Sequence, residues 1–131
     1  MNNADINNAL RKLVDGFQDR DGLWSLQYGD IPLHVITDVP ADRIRVFAPV
    51  MGTDVGDAAV LFRVLRANFE TALDARYCIW RGTLYAAFMH PLASLDEPTF
   101  VDGMEQVVTL VKTTGDTYSS TGLRFGGDDG H

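Results

Sequence analysis

The chain contains few of the residues from which catalytic and metal sites are built. Its 131 residues include one cysteine, Cys78, and three histidines, His34, His90 and His131, which lie far apart in the sequence. None of them has the spacing of a metal-ligand motif, and one cysteine cannot form an internal disulfide. We therefore expect no metal and no cofactor, and we expect Cys78 to be a small buried apolar residue in a reducing compartment.

Positive charge and long apolar segments are scarce as well. Eleven Lys and Arg residues stand against eighteen Asp and Glu residues, so the net charge is −7 and the pI is near 4.7. An acidic protein is repelled by the phosphates of nucleic acids and anionic membranes, so we expect neither as a partner. The first residues lack the pattern of a signal peptide, and no apolar run approaches the length of a membrane span. These absences predict a cytoplasmic protein.

An enzymatic alternative depends on Cys78. As a nucleophile it would need a neighbouring base, and only His34 or His90 is available for that role. Arg45 and Arg76 would be further polar residues of such a pocket, which would also suit a small-molecule ligand. Catalytic sites need several titratable groups gathered in one concavity, and the pattern shows hardly any such convergence. We therefore expect no enzyme.

Spacings of three and four between apolar residues predict three amphipathic helices. The first begins near Ile6, includes Phe17 and ends before Gly22. The second covers residues 57–73, with Thr53, Asp54 or Asp57 as its N-cap. The third begins near Ser94 and Glu97, which have the spacing of a capping box.

Short β-branched and aromatic runs between these helices predict five strands. They cover residues 23–28, 31–37, 43–48, 77–80 and 84–89. Ile44, Val46 and Ala48 alternate with Arg43, Arg45 and Phe47, as in an antiparallel strand with one buried face. The element order α-β-β-β-α-β-β-α predicts a single α+β domain over residues 1–122, with helices packed on an antiparallel sheet of about five strands. Residues 123–131 read as a disordered tail.

Two sets of apolar residues exceed what one core requires. The second helix carries Phe62, Leu65 and Phe69 outside its main apolar stripe, which predicts a homodimer interface. The predicted strands carry Trp24, Phe47, Trp80 and Tyr85 on faces that one helix layer cannot all cover. Some of them must pack under the helices. For the second face of the sheet there are two alternatives: another helix of the same chain covers it, or it forms a partner-binding surface, for which these four residues are the candidates.

The order of elements resembles a known family. The resemblance rests on Asn68-Phe69 after the second helix, the hairpin turned at Arg81-Gly82, the boundary at residues 91–95, and a last helix ending in residues 115–118. Over roughly residues 4–120 this pattern is similar to the YbjN-like family, whose fold resembles the class I (Tir-chaperone type) chaperones of type III secretion. The resemblance implies a non-enzymatic, usually homodimeric domain without catalytic residues. In the chaperone branch such a domain holds an extended segment of a secreted effector on hydrophobic patches.

We therefore predict a non-enzymatic, homodimeric protein-binding domain that holds an extended or partly unfolded segment of a partner protein. A YbjN-like regulatory protein is one alternative. A small-molecule-binding protein or enzyme with a pocket near Cys78 is another. The identity of the partner, the exposed face of the sheet and the dimer geometry stay open.

Overall fold

The computed structural model describes residues 1–50 and 52–120, which form three helices and six strands. The helices are α1 (Asn3–Leu13), α2 (Ala58–Glu70) and α3 (Glu97–Thr113). The strands are β1 (Phe17–Asp19), β2 (Leu23–Tyr28), β3 (Ile31–Asp38), β4 (Arg43–Pro49), β5 (Arg76–Trp80) and β6 (Thr83–Pro91). The predicted tail at residues 123–131 lies outside the described residues.

All strands pair antiparallel in one sheet of order β1-β2-β3-β4-β6-β5. Neighbouring strands in the sequence form hairpins, except that β4 pairs with β6 after the connection through α2 and β5. The strand β5 is thereby placed at the edge of the sheet. The single-domain α+β architecture is confirmed, with one strand more than expected.

The additional strand is β1, where we expected helix. The helix α1 ends at Leu13, and its C-cap Val14 is already extended. Phe17 then pairs with Leu26 of β2 and packs partly buried against the core. Gly22 does not cap a helix: it lies in a two-residue hairpin turn with a positive φ of 85°. A single apolar residue fits a helical and a strand period equally well, so three residues carry no decisive pattern.

One face of the sheet holds the core. The predicted inward residues of β4 are buried, and the matching side chains of β6 join them; the set is Ile44, Val46, Ala48, Leu84, Ala86 and Phe88. The helices α1 and α3 cover this face with Ile6, Leu10, Phe100 and Met104. We call it the inner face and the opposite one the outer face.

The helices α2 and α3 each begin after an aspartate whose side chain caps the first turn. Asp57 caps α2 by accepting a hydrogen bond from Ala59 N at 2.9 Å, which confirms one of the three expected N-caps. The capping box expected at Ser94 and Glu97 is wrong. Leu95 is buried, so the chain makes a further turn, and Asp96 accepts from Thr99 N at 2.9 Å instead. Hydrogen bonds from Thr99 also lower the pKa of Asp96.

Gly103 allows α3 to approach the sheet closely. It is buried in the middle of α3, opposite Phe88 of β6. A Cβ at this position would lie 2.6 Å from two ring atoms of Phe88, closer than any van der Waals contact. The absence of a side chain therefore sets the distance between helix and sheet.

We expect Gly103→Ala to destabilise the fold. Overpacking a core costs about 1–3 kcal/mol, which outweighs the gain of about 1 kcal/mol in helix propensity. Gly16→Ala is the matched control, because nothing lies within 4 Å of a Cβ at Gly16. In urea denaturation, Gly103→Ala should unfold at a lower midpoint concentration than the wild-type protein, and Gly16→Ala should unfold at nearly the wild-type midpoint. Equal midpoints for both variants would contradict the close approach.

Candidate functional site

The outer face of the sheet carries apolar side chains without a helix layer of the described chain above them. Both α1 and α3 lie on the inner face. The strand register directs Ile36, Arg45, Phe47, Tyr85, Ala87 and Met89 to the outer face, together with Cys78 and Trp80. Trp80 and Met89 are each 53% exposed. This face is therefore the most extensive apolar surface that the sheet presents.

The helix α2 leaves this face open because it is held at the sheet edge. The Asn68 side chain accepts a hydrogen bond from Tyr77 N at 2.7 Å and donates one to Tyr77 O at 3.1 Å. The amide thus occupies both outward backbone groups of an edge-strand residue, as a neighbouring strand would. From there, Val64 and Ala67 pack into the core.

A row of ring contacts crosses the outer face. The His34 and Phe47 rings are 5.4 Å apart, Phe47 and Tyr85 5.8 Å, and Tyr85 and Trp80 6.2 Å. The guanidinium of Arg81 lies 4.5 Å from the centre of the Trp80 ring. Each ring is held by its neighbours on an adjacent strand, so this aromatic row presents a surface that is already ordered.

A depression of about 450 Å³ lies beside the aromatic row. Its lining includes Phe47, Cys78, Trp80, Tyr85, Ala87 and Met89. In the strand register Ala87 stands between Phe47 and Arg76, with Tyr85 and Met89 next to it along β6. A small side chain among large ones produces the concavity, whose walls are mainly apolar.

The groups near the depression do not form a catalytic set. Two strands separate His34 on β3 from Cys78 on β5, which is about 14 Å at normal strand spacing. His90 alternates with Met89 and so lies on the other face of the sheet, stacked on Phe88. Burial raises the pKa of the Cys78 thiol, which favours its unreactive protonated form. No group of three potential metal ligands occurs within residues 1–50 and 52–120.

A second apolar surface lies on α2, away from the core. Phe62, Leu65 and Phe69 follow one another at helical spacing along α2, Leu73 lies just beyond the end of the helix, and all four are exposed. Leu65 is 69% and Phe69 92% exposed. The guanidinium of Arg66 lies 5.3 Å from the Phe62 ring centre. We call these four residues the α2 stripe.

The sequence of the chain is similar to one family over most of its length. The Tir chaperone protein (CesT) family matches residues 7–114. The chain belongs to this family. No curated protein sequence matches it. The class I chaperone part of the predicted resemblance is thereby confirmed, whereas membership of the YbjN-like family stays a prediction.

Solved structures share the fold of this CesT-family chain. A chain of the HopA1–SchA chaperone–effector complex matches with a TM-score of 0.68 at 14% identity, over 85% of this chain and 90% of that one. A chain of the complex between the Yersinia pestis type III secretion chaperone SycH and a fragment of YscM2 matches with a TM-score of 0.66 at 11% identity, over 85% and 97%. A chain of the ExoT–SpcS complex from Pseudomonas aeruginosa matches with a TM-score of 0.61 at 18% identity, over 86% of this chain and 99% of that one.

The expected partner-binding residues are only partly brought together. Phe47, Trp80 and Tyr85 meet on the outer face. Trp24 does not belong there: it is 1% exposed, and its indole donates to Asn7 Oδ1 of α1 at 3.1 Å. Trp24 alternates with Ser25 on β2, and the pattern alone does not say which of the two faces the helices.

Other residues of the two surfaces escaped the sequence-based prediction. Ile36 and Met89 line the depression, and Leu73 extends the α2 stripe. Outward alternation along β3 and β6 is the signal that points to the first two.

No helix among the described residues is long and apolar enough to cross a membrane.

Cys78 is half-buried on the outer face rather than enclosed in the core, which gives a simple test of its reactivity. Because burial raises its pKa, we expect a thiol reagent to label the folded protein slowly at pH 7. Labelling should accelerate as the pH rises, and this acceleration should occur at a higher pH in the folded protein than in the unfolded chain. The chain unfolded in urea is the control, since it contains the same single thiol. Labelling at equal rates in both states would show a reactive cysteine.

Proposed function

We propose that this protein is a non-enzymatic chaperone of type III secretion that holds an extended segment of a secreted protein on the outer face of its sheet. The observation that carries the proposal is the open outer face, with its aromatic row and apolar depression. Family membership supports it, and so do the structural relatives, which include a chaperone–effector complex. The proposal places the protein in the cytoplasm, where a partner is held before secretion.

The chemistry of the outer face fits a protein segment better than a reaction. Ordered aromatic rings supply large apolar contact area at a low cost in side-chain entropy, which is typical of binding anchors. The depression offers room for one or two partner side chains, and the titratable groups among the described residues that line it are Arg45, Cys78 and Tyr85. Burial raises the pKa of the Cys78 thiol and so disfavours the nucleophilic thiolate, and neither His34 nor His90 lies beside it. These features support a binding protein without cofactor.

We further propose that the protein is a homodimer joined through the α2 stripe. Soluble monomers rarely expose several large apolar side chains in one row, because water contact with them is unfavourable. In a two-fold dimer the same stripe on each copy would cover its counterpart. The Asn68 contacts hold α2 at the sheet edge, so pairing there leaves the outer face accessible.

Replacing aromatic anchors should weaken partner binding. Peptides selected from a random 12-residue display library provide a defined probe, and calorimetry measures their affinity. We expect Trp80→Ala and Tyr85→Ala each to reduce affinity by more than about tenfold, which is 1.4 kcal/mol, and binding to show a negative heat-capacity change from apolar burial. Val39→Ala, an exposed apolar position at the β3–β4 turn, is the control.

Affinities unchanged by both aromatic substitutions would contradict binding on the outer face. Thermal unfolding of each variant separates loss of contact from loss of fold. Trp80 is half exposed, so its removal should shift the melting temperature little.

Charge on the α2 stripe should dissociate the dimer. We expect sedimentation of the wild-type protein at about twice the chain mass of 14.5 kDa, and of Leu65→Asp and Phe69→Asp at the monomer mass. In a two-fold interface both copies would bury an unpaired carboxylate, which is strongly unfavourable. Val39→Asp adds the same charge away from the stripe and should leave the dimer intact. Both side chains are exposed in the single chain, so the variants should stay folded. A wild-type monomer at tens of micromolar would refute the dimer.

A further inference from the structure

Arg45 lies at the wall of the depression and, within the part of the chain that the structure describes, is a cation without a partner. It points outward from β4, directly opposite Ile36 on β3 and Met89 on β6. It makes no hydrogen bond or ion pair with any described residue, whereas Arg43 donates to Asp42 O and Arg76 to Leu73 O. Within residues 1–50 and 52–120 the ion pair found is Lys12–Glu97, which joins α1 to α3. Arg45 therefore keeps its full donor capacity for a partner.

The charge around the depression is opposite to that of the whole protein. The chain carries a net charge of −7, yet of the described residues that line the depression none is acidic and one is Arg45. A guanidinium forms its strongest contacts with carboxylates, through two parallel hydrogen bonds. An acidic side chain would therefore be attracted to this point and repelled from much of the remaining surface.

The strand register sets the distance between the apolar and the charged part of this site. Ala87 pairs with Phe47, and Arg45 is the next outward residue along β4. Such diagonal neighbours are about 7–8 Å apart. In an extended peptide, side chains two residues apart lie on the same face at about 6.6 Å. One extended segment thus reaches both positions.

We infer that the outer face recognises an extended partner segment in which a large apolar residue and an Asp or Glu lie two positions apart. The apolar side chain occupies the depression over Ala87 between Phe47 and Met89. The carboxylate pairs with the Arg45 guanidinium. The inference rests on the proposed function and specifies the partner's chemistry.

Peptide selection on matched variants tests the inference. The probe is the same random 12-residue library, displayed inside a carrier so that no free carboxyl terminus competes. We expect the wild-type protein to enrich peptides with an apolar and an acidic residue two positions apart, in the one order that the direction of the bound chain sets, and Arg45→Gln to enrich apolar residues without the acidic one. Arg11→Gln makes the same charge change on an exposed position of α1 and should select as the wild type does.

A double-mutant cycle then measures the pair itself. Changing Glu to Gln in an enriched peptide should reduce affinity for the wild-type protein about fivefold, as for a partly exposed ion pair, and leave affinity for Arg45→Gln unchanged. Ala87→Met fills the depression from an outward position and should abolish binding of the same peptides without unfolding the protein. The inference is supported if the peptide Glu and Arg45 show a coupling energy in the cycle and if Ala87→Met abolishes peptide binding.

The remaining outcomes separate the inference from the proposed function. Selection of apolar peptides that Ala87→Met abolishes, but without preference for an acidic residue, would overturn the inference and leave the proposed function standing. Enrichment that is insensitive to Ala87→Met and Trp80→Ala would overturn both, because binding would then occur elsewhere. Absence of any enrichment would also count against both.

Discussion

The hydrogen bonds between the Asn68 amide and the backbone of Tyr77 fix α2 at the edge of the sheet, and the exposed surfaces of the fold depend on that position. A helix between two strands of an antiparallel sheet normally finds its place on one of the two faces. Here two hydrogen bonds at 2.7 and 3.1 Å hold α2 beside β5 instead. The outer face is therefore left uncovered, and the second apolar side of α2 also stays free. Both candidate surfaces depend on this one contact.

The two surfaces differ in how they are built. The α2 stripe is made of three side chains of one helix and Leu73 just after its end, so its pattern is local. The outer face combines residues of four strands, and its rings hold one another in place. Its concavity arises where Ala87 is small among large neighbours. Arrangements of this kind are set by strand pairing, which gives them a rigidity that a loop lacks.

Local patterns were sufficient to predict that there are three helices, though not where α1 ends, and to predict the outward direction of Phe47 and the excess apolar arc of α2. They were insufficient where pairing over long distances decides. Ala87 meets Phe47, and Met89 meets Arg45, only because β4 and β6 pair across some forty residues of intervening chain. Trp24 was assigned to the wrong face, because alternation along β2 defines two faces but not which of them meets α1. Gly103 gave no signal either, since its role depends on the position of Phe88.

The sheet edges have a consequence for a protein with exposed apolar surface. Open strand edges allow copies of a chain to polymerise into continuous sheets. At β5, Asn68 occupies the backbone groups of Tyr77, and Gln106 Oε1 accepts from Asp74 N and Ala75 N at 2.9 and 3.0 Å just before the strand. At the other edge β1 is three residues long. Two side-chain amides and a short strand thus reduce the length of strand edge that is open to another copy of the chain.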